Sequence, residues 1–177
     1  MEKTIFQYID AIATKVELPK EIISLSNGVN MTYNYLTDEI SFDARRIAHI
    51  LNHYPHISLK DYVTTFTLHE LGHSLDRDNL LQSYDQTVEW YKLANRLTTE
   101  EKETNLRFLE LSYLEAEADL HFEHVAWSHA IRLNEIYHLV SETVLDQLQD
   151  DSLLTYEDNY EYSKDLFEAS KKIPTLP

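Results

Sequence analysis

Residues 65–79, TFTLHELGHSLDRDN, set two histidines four positions apart with a glutamate directly after the first. At 3.6 residues per turn His69 and His73 project from one face of a helix, one turn apart, so both imidazoles reach the same point off its surface. The pattern has the form H-E-x-x-H, two nitrogen ligands for zinc on one helix face. Glu70 is turned about 100° away. That offset puts a carboxylate beside the metal rather than on it, where it can take a proton from a zinc-activated water.

The surrounding sequence supports a helix there. Ser58 followed by Asp61 is close to a capping box and opens a helix carrying Tyr62, Phe66, His69 and His73 to about Asp76. Upstream, residues 3–14 read as helix, and Pro19 suits the first turn of a short helix through about Ile23. VNMTYNYLTDEISFD, residues 29–43, alternates Met31, Tyr33 and Tyr35 with polar partners and returns through ISF, the pattern of a hairpin. ARRIAHILNHY has helical spacing at Ile47, Ile50 and Leu51 and is stopped by Pro55. Downstream, Val88, Tyr91 and Asn95 keep helical spacing. Thr98 with Glu101 forms a capping box for a long helix through Trp127. Residues 131–148 repeat apolar positions at helical spacing, and Thr155 with Asp158 caps a last helix ending before Pro174. The 12 tyrosines fit the boundary between core and solvent, and TYEDNYEYSKDLFEAS reads as a terminal helix packing its aromatic face on the domain. The sum is a helix-rich α+β domain with a small N-terminal sheet.

Composition bounds the chemistry. The 177 residues, 43% hydrophobic, fit a single domain spanning 1–177, with 1–25 an N-terminal helical segment and 128–177 a C-terminal helical extension. There is no cysteine, so a metal must be held by His, Asp or Glu. Net charge is −16, which argues against a phosphate-tracking nucleic-acid surface. The first 20 residues resemble neither a signal peptide nor a transit peptide, and no apolar run approaches the ~18 residues of a membrane span. A soluble, cytoplasmic protein with no nucleic-acid or membrane partner is expected.

Catalytic zinc needs three protein ligands and an open fourth position. In YLEAEADLHFEH, Glu115 and Asp119 are four apart on the expected helix and face one way. Glu115 is therefore a candidate third ligand, and Asp119 a candidate partner for the far nitrogen of His69 or His73. Glu117 is the alternative ligand, on a different face and aligned with His121 and His124. Tyr113, His121 and His124 are candidate donors to substrate or to a developing oxyanion, with no means of choosing among them. His49, His53 and His56 crowd the approach to the motif helix and most simply occupy ordinary surface or core positions.

HELGH followed by EAEAD resembles the gluzincin group of zinc metallopeptidases, in which a third ligand Glu comes from an E-x-x-x-D arrangement on a second helix. The short layout is most similar to the ImmA/IrrE-like small peptidases, and HELGHSLD with EAE is also similar to lethal-factor-like catalytic domains. The resemblance covers about residues 30–127. It implies a zincin-like fold, with the sheet packed on the active-site helix and a C-terminal helical part. It also implies Zn2+ held by His69, His73 and Glu115, Glu70 as general base, Asp119 beside the ligands, and a peptide or protein substrate. Other zincin patterns do not fit: Asp76 and Asn79 stand where metzincins need Gly and then His or Asp, the only internal methionine, Met31, lies upstream, and no glycine follows Gly72.

The expected activity is peptide-bond hydrolysis, with an extended peptide added to the edge of the sheet around residues 31–42. Two alternatives stand beside it. One is a catalytically silent zincin-like module that binds metal for regulation or protein interaction; the other is a metal-free helical adaptor. Metal content separates the last from the first two.

Overall fold

In the computed structural model, which describes residues 1–172, the chain forms a first helix α1 (Glu2–Lys15) because Ile5, Ile9, Ile12 and Ala13 recur on one stripe; all four are buried. The helix ends where Glu17 takes a left-handed conformation, φ 61°. The next element is β1 (Glu21–Ser24), where the sequence led us to expect a short helix. Its partner explains the difference. β1 pairs in parallel with β3 (Glu39–Phe42), Ile22 opposite Ile40, and a partner eighteen residues away leaves no local signature. The expected hairpin is present: β2 (Met31–Asn34) pairs antiparallel with β3, Met31 opposite Phe42 and Tyr33 opposite Ile40. The strand order is β1-β3-β2, so β3 is central and β2 is an edge. In the connecting turn, Asp38 adopts φ 59° and accepts hydrogen bonds at 2.6 Å from both Lys20 Nζ and the Tyr33 hydroxyl.

Asp43 links the sheet to the next helix, α2 (Ala44–Leu51), which ends ahead of Pro55. One carboxyl oxygen accepts from the backbone N–H groups of Arg45 and Arg46, the other from that of Gly28. The motif helix is α3 (Leu59–Leu75). Ser58 caps it as expected, accepting from Asp61 N at 3.0 Å while its hydroxyl donates to the Asp61 carboxylate at 2.8 Å. From Tyr62 to Gly72 every residue but Phe66 is buried, and α3 packs chiefly on α1 and β2. A central helix buried all round needs its polar side chains satisfied. Thr65 and Thr67 donate to the carbonyls of Asp61 and Val63 at 3.0 and 2.7 Å, spending their hydroxyls within the helix.

The remaining helices are α4 (Arg77–Ala94), α5 (Thr99–Thr104), α6 (Leu106–Tyr137) and α7 (Glu142–Ser170). The Thr98–Glu101 capping box forms, but it opens the six-residue α5 rather than the long helix. Asn105 leaves helical geometry (ψ 104°) and its side chain accepts from Phe108 N at 2.9 Å, starting α6 afresh. α6 runs on to Tyr137 and stops where His138 takes φ 49°. There the buried Asn134 side chain accepts from the N–H groups of Leu139 and Val140 at 3.0 Å and donates to the Val140 carbonyl. Thr155 and Asp158 lie within continuous α7 and start nothing; Pro174 lies outside the described residues.

The architecture is therefore α+β and helix-rich, with one three-stranded sheet among the described residues. None of the described helices is long and apolar enough to cross a membrane. The chain groups into two compact units. The first, Met1–Arg77 with His124–Asp150, holds the sheet, α1 to α3 and a core built on Ile5, Ile9, Ile40, Phe42, Leu68 and Trp127. The second, Asp78–Glu123 with the residues from Asp151 on, holds α4, α5 and the first half of α6.

Backbone N–H groups, that of Gly28 foremost and then those of Arg46 and Arg45, hold the Asp43 carboxyl below its ordinary range. A depressed carboxyl stabilises the fold above its unfolded pKa, and that contribution is lost as pH falls through the folded value. Asp43→Ala is expected to lower the melting temperature at pH 7, with the difference from wild type narrowing below about pH 4. Thermal melts of both proteins across that range check it.

Candidate metal centre

α3 carries His69, Glu70 and His73 as the spacing requires. The His69 and His73 rings stand edge to face, and their Nε2 atoms are 3.2 Å apart. Two nitrogens each about 2.0–2.1 Å from a tetrahedral zinc stand about 3.3 Å from one another, so the pair needs almost no movement to share an ion. His69 is 4% exposed, and its ring lies stacked on the indole of Trp127, 4.3 Å between centroids, with Phe66 edge-on to both rings. The stack on Trp127 holds the plane of the imidazole.

The carboxylate gathered beside them is Glu123. Ligand atoms of His69, His73 and Glu123 all lie within 4.8 Å of one another, and no other such group of three occurs among the described residues. Two imidazoles and a carboxylate match the donor set of a catalytic zinc site that leaves a fourth position open.

Glu115 sits elsewhere. It accepts a hydrogen bond from Gln86 at 3.4 Å and lines a cavity with Asp119. Register explains the difference between the two glutamates. α4 and the first half of α6 run antiparallel, with Gln86 beside Glu115 and Trp90 Nε1 donating to Ser112 Oγ at 3.0 Å. Eight residues along α6 from Glu115 is Glu123; eight residues back along α4 from Gln86 is Asp78, next to the end of the motif helix. Glu123, the carboxylate grouped with the histidines, thus lies two turns, about 12 Å, along α6 from Glu115. Glu115, Asp119, Glu123 and Trp127 form one i, i+4 stripe, so the face was readable and the rung was not.

The close approach of α3 and α6 occurs at Gly72. A Cβ there would stand 2.2 Å from the carbonyl oxygen of Ala126, three residues past Glu123. Only glycine lets the two backbones meet at this point, which gives the fourth residue of HELGH a structural reason.

Glu70 is 5% exposed, and its Oε2 accepts from the backbone N–H of Tyr33 at 2.7 Å. The motif glutamate is thereby tied to β2, the edge strand. Asp119 keeps part of its side chain in solvent, yet protein packed around its carboxyl, followed by the charges of Glu115 and Glu123, pushes it up to about 6.

The other candidate donors stand differently. The Tyr113 hydroxyl donates to Glu117 at 2.9 Å and its ring packs on Tyr160 and Phe167; the bond to Glu117, then lost hydration, pushes the phenol up to about 12. Glu117 is exposed. His121 and His124 are exposed, about 160° and 100° around α6 from Glu123. Sequence reasoning missed Glu123, Trp127 and the Tyr33 amide. The E-x-x-x-D-x-x-x-E-x-x-x-W run from 115 to 127 was the available signal for the first two.

Gly72→Ala is expected to cost more than the ~1–3 kcal/mol typical of overpacking, because the obstructing atom is backbone and cannot swing aside. Chemical denaturation checks the loss; a variant as stable as wild type would contradict the close approach. Searches against family models, curated proteins and solved structures return no significant match, so the functional reading rests on this geometry.

Proposed function

We propose that this protein is a zinc-dependent metallopeptidase of zincin-like architecture, with His69, His73 and Glu123 as metal ligands and Glu70 as general base. The observation that carries the reading is the convergence of two imidazoles and one carboxylate on a single point, with a second carboxylate on the adjacent helix position. Zinc bound there supplies a lowered water pKa and polarisation of the scissile carbonyl.

The chain's own groups do the rest. Glu70 takes the proton of the attacking water and delivers it to the leaving amine. Its bond to Tyr33 N registers it against β2, the edge along which an extended peptide adds as a further strand. Trp127, stacked on the His69 ring, holds the orientation of an imidazole that would serve as a ligand. The net charge of −16 favours peptide over nucleic-acid substrates.

One observation favours a second reading, a catalytically silent zincin-like module for regulation or protein interaction. A buried carboxylate bonded to a strand amide is also a structural strut, which needs no catalytic role for Glu70.

Glu70→Gln separates them. On the peptidase reading it retains zinc at the wild-type ratio and loses about 10²–10⁴-fold in hydrolysis of a proteome-derived peptide library, the span of a general base. Turnover equal to wild type, measured on the same library, would overturn the assignment of Glu70. A zinc-loaded wild type that cuts nothing in the library would favour the silent module.

A further inference from the structure

A cavity of about 540 Å³ lies in the second unit, on the Glu115 and Asp119 side of α6. Trp90, Phe108, Leu109 and Leu166 give it apolar and aromatic walls, and Glu115 and Asp119 enter it from consecutive turns of α6. Trp90 is pinned by its bond to Ser112 and Glu115 by its bond from Gln86, so the walls are held in place. Charge around the cavity is unbalanced. Among the described residues lining it, Glu103, Glu115 and Asp119 stand against one cation, Lys102, whose ammonium lies 5.7 Å from the centre of the Phe108 ring.

We infer that this cavity is a specificity site for a lysine or arginine side chain of the peptide substrate, its aliphatic stem against the apolar walls and its cationic head on Glu115 and Asp119. Such a side chain has the two parts the cavity asks for: methylenes that gain from leaving water, and a charged head that donates to carboxylates. Two like charges one turn apart raise the cost of keeping the cavity empty, and a cation offsets it. A neutral apolar occupant leaves both carboxylates uncompensated, and an acidic one adds to the repulsion. The inference rests on the peptidase reading for the word substrate. Asp119 and Glu115 stand one and two turns from Glu123 along the same helix, about 6 and 12 Å.

Binding is measured separately from turnover. Peptides of the form acetyl-Ala-Ala-X-Ala-Ala-amide, with X as lysine, norleucine or glutamate, are titrated by calorimetry into the zinc-loaded full chain carrying Glu70→Gln. The lysine peptide is expected to bind about tenfold or more tighter than the norleucine peptide, the glutamate peptide weakest, with the lysine advantage shrinking as salt rises. Adding Glu115→Gln and Asp119→Asn is expected to bring the lysine-to-norleucine ratio near one. Equal binding of lysine and norleucine peptides by the protein with both carboxylates intact overturns the site, whatever the fate of the substituted chain. Preferential lysine binding, combined with a wild type that cleaves neither lysine nor arginine peptides, overturns the substrate assignment and the peptidase reading together. Cleavage of peptides without any preference for a nearby basic residue overturns the specificity site alone.

Discussion

The near contact of two helix backbones at Gly72 and Ala126 governs the candidate centre. A methyl group at position 72 would fall 2.2 Å from a carbonyl oxygen, so the crossing point of α3 and α6 is decided by one missing side chain. Once that point is set, helical geometry leaves little choice. Glu123 comes three residues before Ala126 and Trp127 one after it, which brings a carboxylate to the histidines and an indole under the His69 ring. The motif glycine thus shapes the candidate centre without offering a ligand.

Burial around this crossing gives the site its chemical character. His69, Glu70 and Glu123 are each at most 7% exposed, in surroundings where charges act with less screening than in water. A buried carboxylate pair is tolerable when a cation or protein dipoles offset it. Glu70 has the Tyr33 amide; Glu123 has the imidazoles and, on the proposed reading, the ion between them. The same acidic stripe continues down α6 through Asp119 and Glu115 into the apolar cavity, so one helix face carries the carboxylate beside the histidines and the two carboxylates of the cavity.

Much of this was legible from residue order. The H-E-x-x-H spacing, the Ser58 cap, the hairpin around residues 31–42 and the acid-bearing face of the second helix all follow from periodicities of two or 3.6 and from local hydrogen bonds. What escaped depended on distant partners. β1 is a strand because β3 lies alongside it, and EIIS alone does not say so. Asn105 and His138 interrupt runs whose apolar spacing continues across them, because side chains of Asn105 and Asn134 cap the breaks. That Glu123 rather than Glu115 lies with the two histidines depends on how far α4 carries the chain before α6 brings it back, a length that no single-helix pattern contains.

The most direct test of the account is elemental zinc analysis of the purified protein beside Glu123→Ala and Glu115→Ala after dialysis against trace chelator. The account predicts one zinc per chain in the wild type and in Glu115→Ala, and its loss in Glu123→Ala. Zinc retained in Glu123→Ala but lost in Glu115→Ala would contradict the register of α6 against the motif helix, and with it the site described above.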